Sequence, residues 1–111
     1  MSSKTTPSPI EVQQALKSVG NAMRLARKRR LLRQEDLSAR LDITRQTYAK
    51  LEAGNGSTGL GVLLEVLWHF GLLDQLLESL KPENDAMGLS LEQRLLPKLV
   101  RRNEGLLDDD F

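Results

Sequence analysis

The residue types that carry catalysis or bind metals are few in this chain, and they are widely spaced. The only histidine, His69, has no cysteine beside which it could bind a metal, because the chain contains no cysteine. Three acids at 108–110 could attract Mg²⁺, but such a site needs carboxylates that converge on an ordered scaffold. No nucleophile elbow, phosphate loop or metal-ligand spacing is present in the sequence. The sequence therefore predicts neither an enzyme nor a cofactor or metal site.

The distribution of charge is more informative than the net charge of +1. Residues 21–52 carry nine Lys/Arg against four Asp/Glu, whereas residues 53–80 carry three acids and no Lys/Arg. A basic segment of this kind suits a surface that meets phosphate groups. The alternative, in which the basic residues bind no ligand, is a solvated helix face with basic residues placed near the C-terminal end of the helix dipole. The candidates for phosphate contact are Arg24, Arg27, Lys28, Arg29, Arg30 and Arg33.

Length and composition predict one small domain of 111 residues with tails. We expect disorder at 1–8, a folded domain at 9–80 and a tail at 81–111. The N-terminal stretch has no apolar signal-peptide core, and no apolar run approaches the ~20 residues that span a bilayer. A soluble cytoplasmic protein without membrane contact is the expectation.

Residues 33–54 predict two short helices joined by a tight turn. Leu37 and Leu41 share a face of the first helix, and Tyr48 and Leu51 share a face of the second. Residues 42–44 leave room only for a sharp turn, and aspartate at its start tolerates the left-handed conformation. Ile43 is expected to fill the angle between the two helices with an apolar side chain. Thr44 is the expected N-cap of the second helix, and Gly54 is expected to end it. This is the outline of a helix-turn-helix.

The pattern of nine residues in this segment resembles the Cro/repressor-type (XRE) helix-turn-helix family, and the resemblance covers roughly 19–73. Three residues depart from the familiar form: Ser38 stands where Ala is usual, Asp42 where Gly is usual, and Tyr48 where Ile or Val is usual. The resemblance implies an all-α, five-helix Cro/repressor-like domain that binds double-stranded DNA, followed by a short, partly disordered C-terminal tail. The residues that carry the match are Gln34, Leu37, Ser38, Ile43, Thr44, Tyr48, Leu51, Glu52 and Gly54.

By the same resemblance, Arg45 and Gln46 point at bases, and Lys50 lies one turn on, at a base or a phosphate. Thr44 and Thr47 are expected to hydrogen-bond phosphate. Gln34 matches the phosphate-clamping position of the family. Arg24, Lys28 and Arg33 are candidate contacts to the DNA backbone. Glu52 is implied to be a helix-end residue that makes hydrogen bonds or an ion pair.

The segments that flank the motif predict further helices. One long helix is expected at 9–30, with Ser8 as N-cap, Pro9 in the first position and Glu11 completing a capping box, unless 20–21 interrupts it. Helices are also expected at roughly 59–70, capped by Ser57 or Thr58, and at 72–80.

The helix at 59–70 is apolar on all sides, although a surface helix needs only one apolar stripe. A first face, made by leucines at 60, 63, 64 and 67, is expected to pack under the helix-turn-helix. The other apolar side chains then need a second cover. We predict a homodimer that binds a palindromic operator, unless the long first helix provides the cover within a monomer. The predicted interface residues are Val62, Val66, Trp68 and Phe70.

The tail is expected to begin with a linker, followed by a helix capped by Ser90 and broken or kinked at Pro97. The whole chain is similar to HipB-type antitoxins, which repress their own operon and neutralise a HipA-like serine/threonine kinase toxin. That similarity implies a kinase-toxin partner, and we predict the tail as the partner-binding segment. Three alternatives remain: a stand-alone regulator, an interaction module without DNA binding, and a tail that serves only solubility or proteolysis.

Overall fold

The computed structural model describes residues 9–102, with side chains described as far as residue 95. Within this range the chain is all helical and contains no strand. The all-α fold class is therefore confirmed, whereas the predictions for residues 1–8 and for the end of the tail lie outside the described residues. The helices are α1 (Ile10–Arg29), α2 (Gln34–Arg40), α3 (Arg45–Glu52), α4 (Leu60–Phe70), α5 (Leu73–Ser79), a 3₁₀ turn (Pro82–Asn84) and α6 (Ala86–Arg102).

The chain divides into two compact units, residues 1–73 and 74–111. The first unit contains α1 to α4, and the second contains α6, the 3₁₀ turn and all but the first residue of α5. The boundary that the sequence suggested, at residue 80, remains a prediction.

The long first helix is continuous through Gly20 and Asn21. A Cβ on Gly20 would lie 2.8 Å from the backbone oxygen of Leu51, and closer still to that of Glu52. The glycine is therefore not a break in α1. It lets the C-terminal end of α3 pack directly against the backbone of α1, a contact that any larger residue would push apart.

The start of α1 differs from the prediction. Pro9 is the N-cap residue itself, its carbonyl accepts from Val12 and Gln13, and no side chain caps the helix. Glu11 is therefore one position too early to close a capping box, and Ser8 lies outside the described residues. Helix start signals are local, so a shift of one residue leaves the rest of the helix unchanged.

The cap of α4, predicted at Ser57 or Thr58, was also placed too early, by two residues or one. Gly59 is the N-cap, without a side-chain hydrogen bond. The backbone N–H and the hydroxyl of Ser57 instead bind Asn55 Oδ1, at 2.8 and 2.7 Å. The hydroxyl of Thr58 is buried and has no partner among the described residues.

The tail forms more helix than the sequence suggested. Ser90 does not cap α6: Asp85 Oδ1 accepts from Gly88 N–H at 2.9 Å, and the helix begins at Ala86. The helix assignment continues through Pro97 to Arg102, so the helix is not broken there, and a kink at Pro97 remains a prediction. Three residues that looked like linker, 86–88, thus belong to the first turn of α6, where the Asp85 carboxylate satisfies one of the orphan N–H groups.

The core of the first unit confirms Leu37, Leu41, Tyr48 and Leu51 as buried residues. The face predicted for α4 was right only in part: Leu67 is buried, and Leu63 and Leu64 are half-buried. The buried side chains of α4 are Val66, Leu67 and Phe70, whereas Leu60 is exposed. The buried side of α4 is therefore shifted from the leucine face toward Val66 and Phe70. The remaining core residues are Met23 and Ala26.

Among residues 9–102, no single helix is long and apolar enough to cross a membrane, and α4 with α5 passes that test only as a bent pair. No group of His, Cys, Asp or Glu in the described range could hold a metal ion.

Candidate nucleic-acid interface

The turn between α2 and α3 is held by the backbone and by two buried side chains. Asp42 has a φ of 56°, the left-handed conformation predicted for it. The next N–H, from Ile43, bonds the carbonyl of Ser38 at 3.0 Å and closes the end of α2. Leu37 and Tyr48 are fully buried between the helices. The angle at which α3 leaves the turn is therefore fixed by packing.

The first turn of α3 is ordered and open to solvent. Thr44 is the N-cap, as predicted: its Oγ1 accepts from Thr47 N–H at 3.1 Å and lies 2.9 Å from the Thr47 hydroxyl. Arg45, Gln46 and Lys50 are exposed. Three side chains with hydrogen-bonding heads thus project from one rigid helix, whose N-terminal N–H groups also favour an anion.

A buried carboxylate fixes the other end of α3. Glu52 Oε2 accepts from Arg27 Nε at 2.6 Å, and Oε1 accepts from Arg27 Nη2 at 3.1 Å. The Tyr48 hydroxyl donates to Oε2, and Gln34 Nε2 donates to Oε1 at 2.9 Å. One carboxylate therefore joins α1, α2 and α3, which confirms the helix-end role expected for Glu52. We call these four residues, Arg27, Gln34, Tyr48 and Glu52, the buried network.

The protonation states in the buried network follow from its geometry. Burial alone raises the pKa of Glu52, but the hydrogen bonds from Arg27, Tyr48 and Gln34 outweigh it, so the pKa of this carboxyl is lowered. The pKa of Arg27 is raised by its hydrogen bond to Glu52. Burial, followed by the hydrogen bond to Glu52, raises the pKa of Tyr48. Tyr48 is therefore a neutral donor, and Glu52 is a carboxylate at neutral pH.

Because Tyr48 is the only tyrosine in the chain, its ionisation can be followed directly by ultraviolet absorbance. Its folded pKa is raised, so the stability that it contributes is complete below the unfolded value of about 10 and is lost as the pH rises above it. We expect tyrosinate to appear only well above pH 10 in the folded protein, together with unfolding. The same titration in concentrated urea should show the ordinary value. Ionisation near pH 10 in the folded state would contradict the buried hydrogen bond.

Two arginines of the basic stretch in α1 have structural roles that the charge count missed. Arg27 is buried in the network and also donates to the carbonyl of Leu32 at 2.8 Å. Arg30 donates to the carbonyl of Phe70 at 2.8 Å, and its guanidinium lies 4.7 Å from the centre of the Phe70 ring. Arg30 thus holds the end of α4 against α1. A signal for Arg27 existed in the sequence, since it falls four residues after Met23 on the apolar stripe and there requires a buried partner.

The predicted backbone contacts on α1 and α2 remain at the surface. Arg24 is half exposed, with Nε 3.7 Å from Glu52 Oε1, and Lys28 is exposed. Arg33 caps α2 together with Asp36, Nε to Oδ2 being 3.3 Å. All three cations are accessible to a phosphate group.

Two predicted DNA-binding side chains have partners within the chain. The Gln34 amide is half-buried in the network, so its side chain faces inward in this structure. Arg45 Nε lies 3.9 Å from Glu35 Oε1, and both side chains are exposed. The Arg45 contact is weak enough for a DNA base to replace it.

Only two of the four residues predicted for the dimer interface reach the surface of the first unit. Val66 and Phe70 are core residues of the first unit, so they are not available to a second chain, and this part of the prediction was wrong. Trp68 is 69% exposed and Val62 is half-buried. With Leu64, one turn before it, Trp68 forms a short apolar stripe along the outer side of α4.

Comparison with known proteins identifies the segment that carries this geometry. Residues 23–71 match the family model described as Helix-turn-helix. No curated protein and no solved structure matches the chain. The match spans the end of α1, the whole of α2 and α3, and α4. The chain thus contains a helix-turn-helix domain, and the match supports a DNA-binding transcription regulator.

Proposed function

We propose that this chain is a sequence-specific transcriptional repressor that binds a palindromic operator as a homodimer. The observation that carries the proposal is the exposed first turn of α3, which the buried network holds rigidly at its other end. A rigid helix with exposed Arg and Gln at its N-terminal turn has the form of a major-groove reader. Its place of action would be the operator in the cytoplasmic nucleoid.

Each exposed side chain would then contact a particular part of the DNA. Arg45 suits guanine and Gln46 suits adenine, by paired hydrogen bonds to the base edge. Thr44, Thr47 and Lys50 would bind phosphate or the next base. Arg24, Lys28 and Arg33 would add contacts to the DNA backbone that depend on salt and not on sequence. Their exposure supports this assignment.

Gln46→Ala is expected to weaken binding to the selected operator by about 1–3 kcal/mol, because one base loses its paired hydrogen bonds. Binding to random DNA should stay unchanged. Fluorescence anisotropy on both DNAs, at one salt concentration, gives the comparison. Gln14→Ala, an exposed glutamine in the first half of α1, is the matched control and should bind like the original chain. Equal losses on operator and random DNA would show that Gln46 does not read sequence.

The homodimer is supported by the outer stripe of α4. Trp68 is large, apolar and exposed, and the half-buried Leu64 lies one turn before it on the same side of this helix. A two-fold axis through such a surface would place two copies of α3 about 34 Å apart, one turn of DNA. The alternative within a monomer, in which α1 covers this side, is not favoured by the exposure of Trp68.

The finer proposal is that the repressor also acts as the antitoxin of a HipA-like serine/threonine kinase toxin and represses its own operon. It is supported by the resemblance to HipB-type antitoxins described from the sequence and by the presence of chain beyond the matched helix-turn-helix, residues 72–111. Two docking surfaces are available: the tail at 81–111, and the stretch 53–80, which carries acids and no Lys/Arg. A stand-alone regulator without a toxin partner is the alternative.

Co-expression with the product of the neighbouring gene separates these two functions. The antitoxin proposal expects co-purification and relief of any growth arrest that the neighbour causes. A Gln46→Ala chain should relieve the arrest equally well, because it changes only base reading. If neither chain binds the neighbour or relieves arrest, the stand-alone regulator is the better description.

A further inference from the structure

The starts of α2 and α3 bring one acid and one base together on the face proposed to meet DNA. Glu35 is the second residue of α2, and Arg45 is the first residue of α3. Arg45 Nε lies 3.9 Å from Glu35 Oε1, and the two side chains are 60% and 57% exposed. Both members of this pair can therefore be reached by a DNA base or a phosphate group.

The distance between the two helix starts is set by the packed turn and not by the pair itself. Leu37 and Tyr48, which hold α2 against α3, are fully buried, and Asp42 takes the left-handed conformation at the corner. An exposed ion pair adds little to the stability of such a scaffold. Removing the charge of Glu35 should therefore leave the fold intact.

The neighbouring acid in the same turn of α2, Asp36, has a different role. Its carboxylate accepts from the Arg33 backbone N–H at 2.9 Å and from Arg33 Nε at 3.3 Å, and so caps α2. The carboxylate of Glu35 lies instead beside the first residue of α3. Of the two acids in the first turn of α2, Glu35 is therefore the one placed to act on the reading helix.

The shape of the guanidinium allows Arg45 to contact Glu35 and a base at the same time. A guanidinium has five N–H donors in a planar fork, and the contact to Glu35 is made through Nε. The two terminal NH₂ groups remain available for O6 and N7 of guanine, the commonest specific pairing of arginine in the major groove. The carboxylate thus orients the plane of the arginine, and a guanine can be read without displacing it.

We propose that Glu35 is a specificity-determining residue, which positions Arg45 for guanine and weakens the binding of Arg45 to phosphate. The proposal rests on the sequence-specific DNA binding proposed above. Arg45 is the one charged residue among the first three of α3, and without Glu35 it would be a cation able to pair with any phosphate. Such contacts add affinity for every sequence and no discrimination between sequences.

A phosphate and a guanine respond differently to the Glu35 carboxylate. A phosphate oxygen that reaches Arg45 brings a second negative charge close to Glu35, and like-charge repulsion opposes this approach. The O6 and N7 atoms of guanine are neutral acceptors, so they meet no such repulsion. Glu35 therefore lowers the affinity for random DNA more than the affinity for an operator with guanine at this position.

Full-length Glu35→Gln tests this inference, because it removes the charge and keeps the size of the side chain. Fluorescence anisotropy over a series of salt concentrations measures binding to an operator selected from random sequence and to a random duplex of equal length. We expect the ratio of operator affinity to random affinity to fall about three- to fivefold, the range of an exposed charge pair. On random DNA the slope of log Kd against log salt should steepen by about 0.9, since Arg45 gains one phosphate contact.

Two controls separate positioning of Arg45 from a general effect of charge. Glu65→Gln removes one exposed acid from α4 and should leave the affinity ratio unchanged. In an Arg45→Ala background, Glu35→Gln should no longer change the ratio, because the side chain that Glu35 positions is gone.

An equal loss from Glu35→Gln and Glu65→Gln would overturn the inference, as would an undiminished effect of Glu35→Gln in the Arg45→Ala background. If Glu35→Gln keeps the ratio of the original chain, which itself prefers its operator, the role of Glu35 is rejected and the repressor proposal stands. A selection that enriches no sequence would reject both.

Discussion

Replacing Glu52 with glutamine is expected to lower the free energy of unfolding by about 3–5 kcal/mol. The variant keeps the size of the side chain, so no cavity explains the loss. It leaves the Arg27 guanidinium buried without a counter-charge and weakens the hydrogen bonds from Tyr48 and Gln34. Since small domains have only about 5–15 kcal/mol of stability, this is a large fraction of the total.

Urea denaturation followed by circular dichroism measures the effect. Glu65→Gln removes the same charge from an exposed position on α4 and is the matched control, with little expected change. Operator binding by Glu52→Gln should fall as well, because α3 loses its link to α1 and α2. Equal stability of the two variants would show that the buried network contributes nothing.

The direction in which the free energy of unfolding changes with pH follows from the lowered pKa of the Glu52 carboxyl. The folded pKa of Glu52 is lowered, so its contribution is complete above the unfolded value of about 4.3 and is lost as the pH falls below it. Acid unfolding of Glu52→Gln should therefore be less steep than that of the original chain. Parallel acid transitions would contradict the lowered pKa.

Trp68→Ser is expected to lower operator affinity by about 10²–10⁴-fold, because two linked reading helices become two independent ones. Stability of the first unit should change little, since Trp68 is 69% exposed. Anisotropy on a full operator, with sedimentation in parallel, measures the loss of affinity and of dimer together. Leu25→Ser, which removes a 49% exposed leucine from α1, is the control.

Trp68 is also the only tryptophan, so its fluorescence reports the proposed interface in the unmodified chain. Emission should shift to longer wavelength on dilution, as the ring passes from the interface to water. An unshifted spectrum across the dimer-to-monomer transition would place the interface elsewhere than the outer side of α4.

The sequence by itself determined the local structure of the helix-turn-helix. Apolar spacing placed Leu37, Leu41, Tyr48 and Leu51 in the core, and Asp42 took the left-handed turn. These features depend on residues within one or two turns of each other. Helix propensity, capping and the 3.6-residue period act over that range. The local structure of this segment can therefore be predicted from the sequence without knowledge of the tertiary fold.

The tertiary structure decided which face of α4 is buried. The helix is apolar all round, so its period fits the leucine face and the Val66–Phe70 face equally well. The structure buries Val66, Leu67 and Phe70 together. Arg30, forty residues away in sequence, donates to the carbonyl of Phe70 and lies over its ring. Because Val66 and Phe70 are buried, they are not available to the predicted interface.

The tertiary structure also decided which charges are functional candidates. Arg24, Arg27, Lys28 and Arg30 look alike in the sequence, yet two of them are structural and two lie at the surface. Gly20 looked like a weak point of α1, whereas it is where α3 touches that helix. Such roles depend on partners 25 to 40 residues away, and local spacing carries no information about contacts over that separation.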